Sequence, residues 1–364
     1  MNGRILKKRI ASLFRFAGVE AILVVNTGAE DPNFIYMTDL AGGLFEGNLL
    51  LVTRKGVTLF TSPLEYELAK AQLKDSIRIV NLDSKGALAV LVNGLKGRTV
   101  GINGNFVPYN TYMRIRRKMK IRRLVDVSGA FERARIVKDG EELRRMIAAN
   151  RITKRAIAET QKRLKEGMTE RQAAAGFEAL ALKYGADAVS FPPIVCFGKN
   201  AALPHHGPDG TKLKHGDLVL IDVGVKVRNY CSDVTRTTIF GSGRARIMDY
   251  ERKRRIIGVV KEAQRLAMQT IMEGIKGVRP HEAAQEYIDS ADKGAYKGAF
   301  IHSLGHSIGI EVHDGSESML APGSKLVLKA GMVSSVEPGI YLPGFGGARL
   351  EDDIVVTRKG CRIL

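Results

Sequence analysis

The chain has 364 residues, 45% of them hydrophobic and 26% charged, with a formal net charge of +19. That length exceeds what one hydrophobic core usually serves, so two domains are expected in a soluble globular protein, and no apolar stretch nears the roughly 18 residues of a membrane span. Three cysteines, odd in number and without metal-knuckle spacing, read as reduced thiols of a cytoplasmic protein.

The opening stretch MNGRILKKRIASLFRFAGVEAILVV is basic and then apolar. Ile5, Leu6, Ile10, Leu13, Phe14 and Ala17 recur at helical spacing, and charged residues recur with them. It reads as an amphipathic helix leading into a strand at Ala21–Val25 rather than as a signal peptide. FIYMTD follows, then NLLLVTRKGVTLFTSP, where RKG sits between two apolar runs like a hairpin turn. SPLEYELAKAQL reads as a helix with Pro63 in its first turn. RIVNLD, a helical stretch near 85–95, TVGING, a basic helix from about Tyr109 and LVDVSG complete a small α/β unit, residues 1–128. Its densest charge is RIRRKMKIRR, with seven basic residues in ten. No nucleic-acid-binding motif accompanies that run, so a solvated helix face is the favoured reading and nucleic acid is not an expected partner.

Residues 129–364 form the second expected domain. DGEELRRMIAANRITKRAIAETQKRLKEG reads as one long helix, and T-E-R-Q from Thr169 fits a capping box opening another that runs to about Tyr184. Strands dominate from SFPPIVCF onward, interrupted by a long helix from about Arg246 to Met272 and a shorter one from His281. KEGMTERQAA and GIKGVRPHEAA are weak echoes of each other, each followed by a helix and then a histidine-bearing segment. Two such halves facing one another would place a site between them.

In IDVGVKVRNYCSDV the acids Asp222 and Asp233 end an apparent hairpin. A turn centred on Lys226–Asn229 puts them directly opposite, with Cβ atoms roughly 4.5–5.5 Å apart. Carboxylates that close share either a proton or a cation. HSLGHSIGIEVHD adds His302, His306 and His313 in a chain with only seven histidines, PHHG adds His205 and His206, and Glu337 and Glu351 interrupt two further apolar strands. Buried acids without partners are costly, so the four acids require a cation. An oxygen-rich set with one imidazole suits Mn, Co, Fe or Zn, and four acids exceed what one ion needs. Two ions that activate a water and polarise a carbonyl are machinery for hydrolysis.

The order Asp222, Asp233, His306, Glu337, Glu351, within SFPPIVCFGKNAALPHHG, GDLVLIDVG, YCSDVTRT, FIHSLGHSIGIEVHD, SSVEPGIY and GARLEDDIVVT, resembles the pita-bread metallopeptidase family. The wording is similar to its aminopeptidase P and prolidase (Xaa-Pro peptidase) branch, and the first third resembles that branch's creatinase-like domain. The resemblance implies an α/β (α+β) architecture: a creatinase-like domain over residues 1–128, then a pita-bread catalytic domain with pseudo-two-fold halves over 129–364. It implies two divalent metal ions, Mn or Co first and Zn or Fe as alternatives, held by Asp222, Asp233, His306, Glu337 and Glu351, with Asp233 and Glu351 bridging. Glu337 would also accept a proton from the attacking water. His313 would contact the scissile carbonyl, His205 would hold substrate, and Arg349 would position ligands or substrate. The implied reaction removes an N-terminal residue that proline follows, in a homodimer. Ser307 stands where glycine is common in the family. No arginine lies between Asp314 and Ala348, where dipeptide-restricted prolidases often carry one to grip the substrate carboxylate. An aminopeptidase acting on longer peptides is therefore favoured over a strict Xaa-Pro dipeptidase, with a nucleic-acid-binding pita-bread protein as the distant alternative.

Overall fold

The structure, a computed structural model, describes residues 3–28, 31–73, 76–241, 249–315 and 319–364. It divides into two compact units, Met1–Arg135 and Ile136–Leu364. In the first, α1 (Gly3–Ala17) leads into β1 (Ala21–Val25), and the FIYMTD segment lies on α2 (Pro32–Thr38). The Asp31 side chain caps α2 by accepting from the backbone N–H of Asn33 at 2.8 Å. The RKG turn joins β2 (Leu49–Thr53) to β3 (Gly56–Thr61), and α3 (Pro63–Leu73), β4 (Arg78–Asn81), α4 (Ala87–Leu95), β5 (Thr99–Ile102), α5 (Tyr109–Lys118) and β6 (Arg123–Asp126) follow. The six strands form one sheet in the order β4-β3-β2-β1-β5-β6. The basic run lies on α5 and just after it; Ile115 is the buried residue of that helix and its arginines are exposed. A further helix, α6 (Ser128–Arg135), packs on α1, so the compact unit extends past the boundary expected at residue 128. No helix among the described residues is long and apolar enough to cross a membrane.

The second unit opens on α7 (Gly140–Arg163), which Asp139 and Glu142 cap reciprocally, and α8 (Glu170–Lys183), whose Thr169–Gln172 capping box is the one read from the sequence. These two helices pack on a sheet of β8 (Ile194–Phe197), β9 (Leu218–Val223) and β12 (Val234–Ile239), while β7 (Ala188–Val189), β10 (Val225–Val227) and β11 (Tyr230–Cys231) form a short second sheet. The pattern then recurs. Helices α9 (Tyr250–Thr270) and α10 (Val278–Gly294) cover β13 (Val333–Val336), β14 (Gly339–Leu342), β15 (Gly346–Arg349) and β16 (Asp352–Thr357), with β17 (Gly360–Ile363) at the edge. The expected start of α9 at Arg246 lies outside the described residues. Equivalent single bridges tie the entry to the second helix of each half: Thr169 pairs with Lys212 and Lys276 with Val327.

The hairpin differs from expectation in register. Its turn is Arg228–Asn229, with φ of 46° and 71°, the two positive values that a two-residue type I′ connection requires. Asp222 therefore pairs with Thr235, and Val223 with Val234. Asp233 lies diagonally from Asp222 rather than opposite it. The centre of the turn moves by one residue and the register by two; because strand side chains alternate with period 2, both carboxylates keep the same face. Gly224 parts β9 from β10 beside Ser232. A Cβ there would lie 1.9 Å from the Ser232 carbonyl oxygen.

Candidate metal centre

Asp222 stands near the end of β9 between Ile221 and Val223, both wholly buried. Asp233 precedes β12, and its backbone N–H donates to Asp353 Oδ2 at 3.0 Å. Glu351 enters between β15 and β16 and is drawn to the partner of Asp222: its N–H donates to the Thr235 carbonyl at 3.1 Å, and the Thr235 hydroxyl donates to its Oε2 at 2.7 Å. Glu337 follows β13, where Ser335 Oγ donates to its Oε1 at 3.1 Å. The same hydroxyl accepts from the His306 N–H at 3.0 Å, fixing the glycine-rich segment against β13. His306 Nε2 then lies 3.4 Å from Glu337 Oε1 and 3.6 Å from Asp233 Oδ2. Ligand atoms of Asp233, His306 and Glu351 all come within 4.8 Å of one another.

Three carboxylate oxygens here, Asp222 Oδ1, Asp233 Oδ1 and Glu351 Oε1, are buried and have no hydrogen-bond partner. Such groups are costly unless something answers their charge. Burial, then the facing Glu351 charge, raises the Asp233 carboxyl well above its ordinary range; burial and the Glu337 charge do the same to Glu351. Burial lifts Glu337 to about 8 and drops His306 to about 3, which keeps the imidazole neutral as a ligand must be. A divalent cation answers every one of these features: it supplies the missing partner and reverses the repulsion. The donor set fits such ions.

Arg349 is 3% exposed and works as a fork. It donates to the Tyr341 hydroxyl at 2.7 Å, to Thr235 Oγ1 at 3.3 Å and to the Oδ2 of Asp222. His302, from the same segment as His306, meets the Tyr341 hydroxyl through Nε2 at 2.8 Å and is lowered to about 4 by burial. Arg349, Asp222 and His302 border a cavity of about 430 Å³ that His205 and His313 also line, with Phe191, Ile194 and Val312 giving it an apolar side. All eight residues singled out as functional thus border one cavity. His206 does not; it turns away to Glu170.

Sequence reading passed over Asp353, Asn150, Thr235 and Tyr341. Asp353 carried the same signal as the named acids, a carboxylate inside an apolar strand, and is wholly buried with Asn150 Nδ2 donating to it at 2.8 Å. Thr235 and Tyr341 offered none, since their importance comes from what they face.

The model of metallopeptidase family M24 matches residues 144–358, and that of the creatinase/prolidase N-terminal domain matches residues 7–137. An Xaa-Pro dipeptidase of Pyrococcus horikoshii is 32% identical over 367 residues, spanning 100% of this chain and 97% of that protein. Among solved structures, an Xaa-Pro dipeptidase from Bacillus anthracis superposes with a TM-score of 0.87 at 30% identity, covering 100% of this chain and 97% of the other. An X-Pro aminopeptidase from Thermotoga maritima MSB8 gives 0.85 at 30% identity, with 96% of each chain covered. The creatinase-like first unit and the pita-bread second unit expected from the sequence are the architecture found.

Proposed function

Because the chain belongs to metallopeptidase family M24, we propose that it is a metal-dependent Xaa-Pro peptidase that hydrolyses the bond between an N-terminal residue and a following proline. The observation that carries this reading is the trio of buried, unpartnered carboxylate oxygens on Asp222, Asp233 and Glu351, gathered beside His306 and Glu337. Those five side chains would hold two divalent ions, Mn or Co first and Zn or Fe as alternatives. Bound there, the ions acidify a water and polarise the scissile carbonyl.

The remaining work falls to the chain. Glu337, steadied by the Ser335 hydroxyl, takes the proton of the attacking water and delivers it to the departing proline nitrogen. His313, exposed at the cavity's edge, donates to the carbonyl oxygen as negative charge develops on it. His205 holds the substrate from the loop that precedes β9. Arg349 keeps Asp222 aligned through its fork with Tyr341 and Thr235. The working form is a homodimer, and three free thiols favour the cytoplasm.

Among the described residues lining the cavity, Arg349 is the sole arginine or lysine, and Asp222 and Tyr341 already engage it. Among the described residues of the cavity no uncommitted arginine or lysine awaits the carboxylate of a dipeptide, which favours an aminopeptidase accepting longer peptides. The dipeptidase name of the Pyrococcus horikoshii relative favours the second reading, a strict Xaa-Pro dipeptidase. Metal-stripped protein given Mn or Co is assayed on Ala-Pro and Ala-Pro-Ala beside Asp233→Ala. Metal-dependent cleavage of the tripeptide alone establishes the aminopeptidase, cleavage of the dipeptide alone the prolidase, and turnover of neither ends the peptidase reading.

A further inference from the structure

Outside the metal centre, Glu170, His206 and Asp209 form a second cluster whose donor atoms lie within 4.8 Å of one another. Its chemistry is the opposite of the first. Glu170 is fully buried, yet both its oxygens are spoken for: Oε1 accepts from the Phe197 N–H at 2.7 Å and the Asn200 amide at 3.0 Å, and Oε2 from His206 Nε2 at 3.0 Å and the Asp209 N–H at 3.1 Å. No lone pair on that carboxylate is left seeking a cation, so the cluster is a fastening and not a metal site.

What it fastens is the loop that carries His205. Glu170 is the first residue of α8, so its charge also sits at the positive end of that helix. Its backbone N–H donates to the Thr211 carbonyl at 3.1 Å, and the Arg171 N–H to the Asp209 carbonyl at 3.2 Å. The start of α8 therefore grips the loop at residues 206, 209 and 211. Neighbouring side chains in this loop part company: His206 goes inward to Glu170, while the exposed His205 borders the cavity.

We propose that Glu170, through His206, is a positioning residue for catalysis: the buried carboxylate holds His206 down so that His205 is presented to the substrate. The inference rests on the reading of His205 given above. It requires that Glu170 act on turnover through His205 alone.

A double-mutant cycle tests this. Glu170→Gln keeps the volume but places an amide where acceptor oxygens are needed, and it is made in the native protein and in His205→Ala. Metal content is measured on each variant, and kcat/KM on Ala-Pro-Ala. The expected result is a loss of about ten- to a hundredfold in the native background. In His205→Ala the loss shrinks to less than about twofold, because the two changes act on one step. Bound metal stays equal throughout, and His206→Gln, which keeps an N–H donor, retains more activity than His206→Ala. Equal losses in both backgrounds, or no loss in the first, overturn the proposal. Should His205→Ala itself leave turnover intact, the role given to His205 has failed. A crystal structure of Glu170→Gln then decides the fastening separately: His205 displaced from the cavity upholds it, and an unmoved His205 overturns it.

Discussion

Asp233 and Asp353 are 120 positions apart, and the backbone N–H of the first donates to the carboxylate of the second at 3.0 Å. Asn150, on α7, donates to the same oxygen at 2.8 Å. The placement of a candidate metal ligand in the first half of the unit is thus decided by a strand of the second half and a helix that precedes both. Burial raises the Asp353 carboxyl to about 7, and the hydrogen bonds from Asn150 and the Asp233 N–H oppose that rise.

Asp353→Ala should consequently loosen the metal centre without touching a proposed ligand. The Asp233 N–H loses its acceptor, a cost of about 1–3 kcal/mol for a buried donor. Metal affinity should fall by about 10- to 100-fold, as is usual when a group that orients a ligand is removed. Calorimetric titration of the stripped variant with Mn checks this; unchanged affinity refutes it.

The buried pair Lys138–Asp314 adjoins His313. Its charged atoms meet at 2.9 Å, and each side chain is 1% exposed. Gly309 makes room for it, since a Cβ there would lie 2.0 Å from Asp314 Oδ2. Lys138→Met should destabilise the protein by about 3–5 kcal/mol by removing the ammonium that meets the buried Asp314 carboxylate. Adding Asp314→Leu should restore most of that loss, because the buried carboxylate is then removed together with its cation. Urea unfolding of the two variants decides the matter, and a double variant as unstable as the single one contradicts it.

Metal removal should reverse the pH dependence of stability in one window. In the stripped protein burial raises Glu337 from 4.5 to about 8, and Asp233 and Glu351 are also raised. A raised carboxyl binds more protons folded than unfolded, so its contribution is present at low pH and is lost as pH climbs through the folded value. His306, lowered from 6.5 to about 3, acts in the other sense, but only below about pH 6.5. From pH 6.5 to 8 the carboxylates act alone. The melting temperature of metal-stripped protein should therefore fall across that interval, and that of Mn-loaded protein should not. A flat or rising profile for the stripped form disproves the assignment of carboxyls raised by burial at this centre.

How far the molecule was legible in advance varied with the range of the interaction involved. Capping at Thr169–Gln172, the β2–β3 hairpin and the amphipathic opening helix are local matters, settled within a few residues, and each was readable. The hairpin register was not. Arg228–Asn229 lacks the glycine that usually marks a type I′ turn, and the choice of that turn is made jointly with the pairing of β9 against β12. Helix α6 went unread because its eight residues gain their order from packing on α1, far away in the chain.

The sequence by itself determined which residue types stand at the centre: acids set in apolar strands and histidines among glycines announce their chemistry wherever the chain carries them, because burying such groups without a purpose is unfavourable. Only the tertiary structure decided which atoms face which. Asp222 is diagonal to Asp233 and opposite Thr235; Thr235 draws in Glu351; Asp353 and Asn150 fix Asp233; Glu170 takes His206 and leaves His205 to the cavity. Beyond the hairpin pairing, each of these joins residues far apart in sequence. Such contacts form only when the whole fold has met the entropy of closing the loops between them, and no local pattern of residues encodes that sum.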